Sequence, residues 1–360
     1  MKRTYLVTGA AGFIGFHTVR RLLAGGHRVV GIDNLNDYYD PKLKTDRLAL
    51  LEGREGFHFH RLDLCDRAGM EALFADAASE GGFGTVVHLA AQAGVRHSLT
   101  NPHSYVESNV TGFMHLLEGC RHHEVGHLLY ASTSSVYGLN RSTPFSEAQT
   151  TDHPLTIYSA TKKACEAMAH AYAHLFQLPC TGVRFFTVYG PWGRPDMAYY
   201  MFARRILAGE PIPVYGEGAP SRDFTYIDDI VDGIMEAARL PPPANPSWDA
   251  RNPDPGTSAA PWRILNIGAT RKVNLMAFIR ALEEALGVDA RMEMLPMQPG
   301  DVLETHADTG RLAELTGYAP KVPVEEGVKR FVDWYLSYHQ PAQAGGLHRG
   351  APSARAPVQP

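Results

Sequence analysis

Cysteine is scarce in this 360-residue chain: Cys65, Cys120, Cys165 and Cys180 stand far apart with no CxxC spacing. Neither a zinc knuckle nor a dense disulfide framework can organise such a chain, and the four read as reduced, mostly buried thiols. An excess of one charge is missing too. Lys and Arg number 34 against 38 Asp and Glu, a formal net charge of -4 with a pI near 6.5. No basic field is therefore present to hold nucleic acid or an anionic membrane. No apolar run reaches membrane-spanning length, and Met-Lys-Arg passes straight into Thr4 to Val7 without room for a secretory leader. The expectation is a cytoplasmic protein with no nucleic-acid partner and no membrane.

What is present is ordinary globular composition, 44% hydrophobic and 20% charged, enough for one large or two closely joined domains. Through the first half, strand-like runs alternate with stretches of helical period: TYLVT, FHTVRRLLAGG, HRVVGID, FHFHRLDL, AGMEALFADAASEGG, TVVHLAA, YVESNVTGFMHLLEGCRHH, HLLYAST, a helix from about Ile157 to Leu175, and CTGVRFFT. That alternation predicts an α/β fold with a doubly wound parallel sheet over residues 1–190. After Gly190 it fails. A helix around Met201 to Ala208, the run IPVYG and the segment FTYIDDIVDGIMEAARL predict a smaller, mixed α/β substrate-binding unit over 191–339. Within it, 241–262 reads as a Pro-rich irregular surface insertion, followed by the strand RILNIG and two helices. Residues 340–360, rich in Ala, Gly, Pro and Ser, are expected to be disordered.

Gly9, Gly12 and Gly15 form GxxGxxG between a strand and a helix, with Phe13 and Ile14 inside the motif. Small residues there allow a tight turn and a close approach of backbone to a pyrophosphate at the helix N-terminus. Asp33, followed by Asn34, ends the next strand, where a carboxylate can bond ribose hydroxyls and would repel a 2'-phosphate. NAD is favoured over NADP. Asp63 and Leu64 follow the third strand and Leu89, Ala90 and Ala91 the fourth, in reach of the same cofactor. A glycine turn that merely packs helix on sheet is the rival reading, and the strand–loop–helix–strand context weighs against it.

Tyr158 and Lys162 stand at i, i+4 in a segment of helical period, on one face. A phenol, with an ordinary pKa of about 10, is a poor base near neutrality until a cation stabilises its phenolate. Tyr38 and Lys42 share the spacing, but Pro41 argues against a helical pair. Thr133, at the end of HLLYAST, adds a hydroxyl at the carboxyl end of the sheet, where it can relay or share a proton with Tyr158. The pairs His58/His60 and His122/His123 follow from strand alternation and a helix end, so no metal site is expected.

The motifs TGAAGFIG, HLAAQAG, STSSVYG, YSATK, RFFTVYGPWGRPDM and RDFTYIDD together resemble the extended short-chain dehydrogenase/reductase family, which has a Rossmann fold and acts on nucleotide sugars. GIDNLNDYYDPKLK, YGPWGRPDMA, SAAPWRILNIG and MQPGDVLETHAD are similar to its UDP-glucuronate 4-epimerase branch. The resemblance implies 4-epimerisation of a UDP-sugar with retained NAD through a transient 4-keto state, Tyr158 taking the 4-hydroxyl proton. It also implies that Arg222 grips the UDP phosphates, that Asp301 binds the ribose, and that Ser134, Ser135 and Thr187 lie near the substrate carboxylate, with Arg194 in the same motif. Gln298 stands where UDP-galactose 4-epimerases usually carry arginine. A 4,6-dehydratase needs an acid and a base after the catalytic threonine, and Ser134-Ser135 cannot supply them. UDP-galactose 4-epimerase, UDP-glucuronate decarboxylase and a non-catalytic NAD-sensing protein remain as alternatives. A homodimer is expected from the resemblance and from the amphipathic stretch Tyr105 to Leu117.

Overall fold

The computed structural model describes residues 3–298 and 300–339, so the expected disorder of 340–360 lies outside it. The strands are β1 (Thr4–Thr8), β2 (Arg28–Asp33), β3 (Phe57–Arg61), β4 (Thr85–His88), β5 (Leu128–Thr133), β6 (Cys180–Phe185), β7 (Thr187–Tyr189), β8 (Ile212–Tyr215), β9 (Ser221–Tyr226), β10 (Trp262–Ile267), β11 (Lys272–Asn274) and β12 (Met292–Leu295). Seven form one sheet in the order β10-β6-β5-β4-β1-β2-β3, every neighbouring pair parallel. Its inner strands are buried along most of their length, as strands covered by helices on both faces must be, whereas the edge strand β3 is mostly exposed. Strand order reverses between β1 and β4, which opens a crevice at their carboxyl ends.

Beyond the large sheet, β7 and β11 flank β9, parallel and antiparallel respectively, and β8 pairs with β12. Chain position places Trp262–Ile267 with the smaller unit, yet β10 joins the large sheet beside β6. Helix Ile227–Arg239 likewise packs on Phe13–Ala24, so the two parts of the chain share one continuous core. The stretch preceding Trp262 is largely irregular, and its end packs on the helix Ile157–Phe176 through His170 and Ser258 (2.8 Å).

Two helices depart from the sequence reading. Pro41–Ala49 is a helix that the pattern did not announce; Pro41 sits in its first turn and Asp40 caps it by accepting from the Lys42 N–H. Tyr38 therefore lies outside it and cannot pair with Lys42. The long helix expected from Tyr105 is interrupted by a π turn at Glu107–Thr111 between Pro102–Val106 and Gly112–His122. Tyr105, Phe113, Leu116 and Leu117 on it are core, whereas Val106 and Met114 are exposed.

Candidate active site

Every residue singled out for the cofactor, from Gly9 to Ala91, lines one cleft at the carboxyl edge of the sheet, and Tyr158 and Lys162, within reach of the same cofactor, line it too. The turn is held by the Gly12 N–H donating to the Gly9 carbonyl (2.9 Å). Gly9 has φ +70°, and a side-chain carbon there would lie 2.9 Å from the Ala90 nitrogen; one on Gly15 would lie 2.0 Å from the Gly9 carbonyl oxygen. Only glycine permits this approach, and the result is a cradle of bare backbone at the start of Phe13–Ala24. The buried Thr8 hydroxyl accepts from the Leu89 and Ala90 N–H groups (3.1 and 3.0 Å), fixing the segment that passes Gly9.

The Asp33 carboxylate accepts from Ala11 N (3.2 Å) through one oxygen and from Leu35 N (2.9 Å) through the other, so it is aimed before any ligand binds. Asn34 donates to Asp63 (2.8 Å). Burial alone would raise the Asp63 pKa, but the bonds from Asn34 and the Cys65 N–H outweigh it and hold the carboxyl below its ordinary range. Dinucleotide geometry thus fits the residues present: a carboxylate pair at one end and a backbone cradle in the middle.

Sequence reasoning missed the residues that brace this cleft. Arg47, fully buried, donates to the Ala11 carbonyl (2.9 Å), the Tyr39 hydroxyl (2.8 Å) and the Trp192 carbonyl (2.7 Å), tying the glycine turn to the loop after β7. Lys44 is buried in the cleft wall and donates to the Asn36 carbonyl (2.9 Å). Asn109, turned inward by the π turn, accepts from Gln92 N (2.8 Å) and donates to Thr161 (3.1 Å), joining the loop after β4 to the helix of Tyr158. A buried asparagine inside an amphipathic helix was the available signal. Tyr38 donates to Asp196 (3.1 Å), the residue that also holds Arg194 in a two-pronged pair.

Tyr158 and Lys162 open the helix Ile157–Phe176, whose start is set by a capping box between Thr156 and Ser159. Lys162 is 2% exposed and Tyr158 half-buried, and both line the cleft. Thr133, last residue of β5, reaches the same cleft, but its hydroxyl bonds with Ser135 (3.3 Å), and among the described residues no hydrogen bond joins it to Tyr158. The expected sharing of a proton is not made directly in this structure, because Thr133 caps the turn Ser134–Tyr137.

Beneath these groups lies a buried ion pair. Glu166, one turn after Lys162, accepts from Arg184 (2.8 and 2.9 Å) and from the Ser132 hydroxyl (2.7 Å). Ser132 directly precedes Thr133, and Arg184 is next to last in β6, so the pair registers both strand ends against the Tyr158 helix. Breaking a pair this buried typically costs about 3–5 kcal/mol, since the survivor is left charged and dry. Burial would raise the Glu166 pKa, but Arg184 holds it below the ordinary range.

The expected substrate residues fall in two groups. Ser134 and Ser135 form the turn after β5, Thr187 begins β7, and Arg194 lines the cleft. Arg222, Gln298 and Asp301 stand farther out, at β9 and the loop after β12. Arg222 donates to the Ser221 and Leu303 carbonyls (3.0 and 3.1 Å); burial lowers its pKa, with Asp301 opposing. Gln298 shares a turn with Asp301, its carbonyl accepting from the Asp301 N–H (3.1 Å). Arg96, which the motifs did not single out, pairs with Asp301 (3.0 Å).

Residues 5–246 match the NAD dependent epimerase/dehydratase family. An uncharacterized 37.6 kDa protein of the cld 5' region of Escherichia coli O111:H- is 56% identical over 336 residues, 93% of this chain and 99% of that protein. A probable UDP-glucuronate 4-epimerase of Rhizobium meliloti (strain 1021) is 49% identical over 332 residues, 92% of this chain and 96% of its own length. Among solved structures, the UDP-glucuronic acid 4-epimerase of Bacillus cereus in complex with UDP-glucuronic acid and NAD aligns with a TM-score of 0.83 at 33% identity, covering 93% of this chain and all of that one.

Proposed function

We propose that this chain, which belongs to the NAD dependent epimerase/dehydratase family, inverts C4 of a UDP-sugar, converting UDP-glucuronate to UDP-galacturonate. The observation that carries the reading is the presence of Tyr158, Lys162 and Thr133 in the same cleft as the Gly9 to Gly15 cradle. A bound NAD would supply reversible hydride acceptance at C4, with no net redox change. Gly9, Gly12, Gly15 and the neighbouring backbone would hold its pyrophosphate, and Asp33 its adenosine ribose.

In this assignment Tyr158 takes the proton of the 4-hydroxyl and later gives it back, while the Lys162 ammonium one helical turn away stabilises the phenolate. Thr133 orients the hydroxyl being oxidised. The hydroxyls of Ser134 and Ser135 and the Thr187 backbone hold the C5 carboxylate. Their restraint matters because a 4-ketone beside that carboxylate is a β-keto acid, which loses carbon dioxide when the carboxyl bond stands perpendicular to the carbonyl plane. Loss of both serine hydroxyls (Ser134→Ala with Ser135→Ala) should therefore raise a UDP-pentose by-product, and an unchanged product ratio would sink the restraint.

The deciding experiment is incubation of purified protein with UDP-glucuronate, without added reductant, and NMR of the product. UDP-galacturonate supports the reading; UDP-xylose or no reaction overturns it. No helix among the described residues is long and apolar enough to cross a membrane, and we assign the protein to the cytoplasm. Exposed Leu99, Val106 and Met114 support a homodimer formed through that helical region, which light scattering would test.

A further inference from the structure

We propose that Arg96 is a diphosphate-binding residue for the nucleotide sugar, reaching from the cofactor side of the cleft to complete the charge around Arg222. The inference rests on the UDP-sugar reading and adds to it a residue that no motif named.

Arg96 follows β4, on the loop that also carries Leu89 to Ala91. Its partners come from elsewhere in the chain. Nη2 lies 3.0 Å from the Asp301 carboxylate, and the guanidinium carbon sits 4.6 Å from the ring centre of Tyr215, the last residue of β8. Arg222, second residue of β9, is close enough to Asp301 to be stabilised by it and to Arg96 to be opposed by it. Two guanidinium groups thus stand near one carboxylate that pairs with Arg96 alone, and the cluster is one positive charge in excess before any ligand arrives. Arg222 spends one nitrogen, Nη1, on backbone carbonyls, and among the described residues no carboxylate closes an ion pair on it. Its other N–H groups remain for an anion.

A nucleoside diphosphate ester carries two negative charges, which one guanidinium neutralises only by half. The loop of Asp301 offers a neutral amide at Gln298, so the second charge must come from another segment, and Arg96 is placed to supply it. Its present partner is no obstacle. The Arg96 side chain is 49% exposed, and an ion pair so open to water contributes little to stability. If ribose hydroxyls take Asp301, Arg96 is released towards phosphate while its plane keeps the face of Tyr215.

The test uses the protein as purified with its cofactor, with UDP and uridine as probes in calorimetry. Arg96→Gln should weaken UDP binding by about 10-fold or more at low salt, as loss of a charge-assisted hydrogen bond does, and leave uridine binding unchanged. KM for the UDP-sugar should rise in parallel with kcat nearly constant. Adding Gln298→Arg to Arg96→Gln should restore most of the UDP affinity by supplying the charge from the opposite rim. Equal UDP affinity in Arg96→Gln and wild type overturns the proposal, as does an equal loss for uridine, which would make Arg96 a base or ribose contact. Wild-type protein that fails to bind UDP overturns the UDP-sugar reading itself.

Discussion

Backbone shapes the cleft around Gly9 to Gly15, whereas charged side chains from separate segments shape the region around Arg222 and Asp301. In the first, Arg47, Thr8 and Asn109 fix the loops through buried hydrogen bonds to carbonyls and amides. In the second, Arg96 and Asp301 are partly exposed and engage each other. Buried hydrogen bonds to the backbone hold a shape with or without ligand, while exposed ion pairs exchange partners readily in water. The contrast suits a site that retains its cofactor through many turnovers and exchanges its sugar nucleotide at each one.

Tyr158 lines the cleft without being part of its glycine cradle, and Tyr158→Phe should separate chemistry from binding in both regions. Its kcat is expected to fall by about 10²–10⁴, the usual worth of a positioned general base, with bound NAD and UDP affinity unchanged. Epimerisation at the wild-type rate would remove the proposed base. Gly15→Val attacks the backbone region alone: its branched carbon meets the Gly9 carbonyl, so the protein should purify largely without NAD, scored by chromatography of released nucleotide. Retained NAD at wild-type stoichiometry would show that the cradle yields.

A smaller effect is expected from pH. Burial, opposed by the contact with the Pro191 carbonyl (3.0 Å), lowers the His17 pKa to about 3. The unfolded chain, with a histidine near 6.5, binds the proton more tightly, so this stability is fully present above pH 6.5 and is lost as pH falls towards 3. Between pH 7 and pH 5 the loss is about 2 kcal/mol for this one group. Calorimetric unfolding should move down accordingly, and His17→Gln should flatten the dependence. Smallest is the salt effect: raising ionic strength tenfold should weaken UDP-sugar binding a few-fold by screening and leave NAD content alone. Equal sensitivity in both would erase the distinction between the regions.

The legible parts were those where a residue's role is local. Gly9, Gly12 and Gly15 announce a turn within seven residues, Asp33 ends the next strand, and Tyr158 and Lys162 share one helical turn; each was found from spacing and context. Long-range partners could not be found that way. Arg47 is one more basic residue in a charged segment until the fold brings it to Ala11 and Trp192. Glu166 and Arg184 look like a solvated helix acid and a strand arginine, yet they are 2% and 1% exposed at their side chains. Arg96 and Asp301 meet across 205 residues. The strand RILNIG was recognised as a strand, but only three-dimensional packing reveals that its neighbour is β6.

That last placement bears on how the protein is made. β6 offers an open edge until residues 262–267 emerge and lie beside it, so the large sheet cannot be finished when its first six strands have left the ribosome. An unpaired edge of apolar sequence is a template for the wrong partner. Synthesis therefore passes through an interval in which the glycine turn and the Tyr158 helix are already complete in sequence while the sheet beneath them is still open to misassociation, and chains cut within 241–261 would be held in that interval permanently.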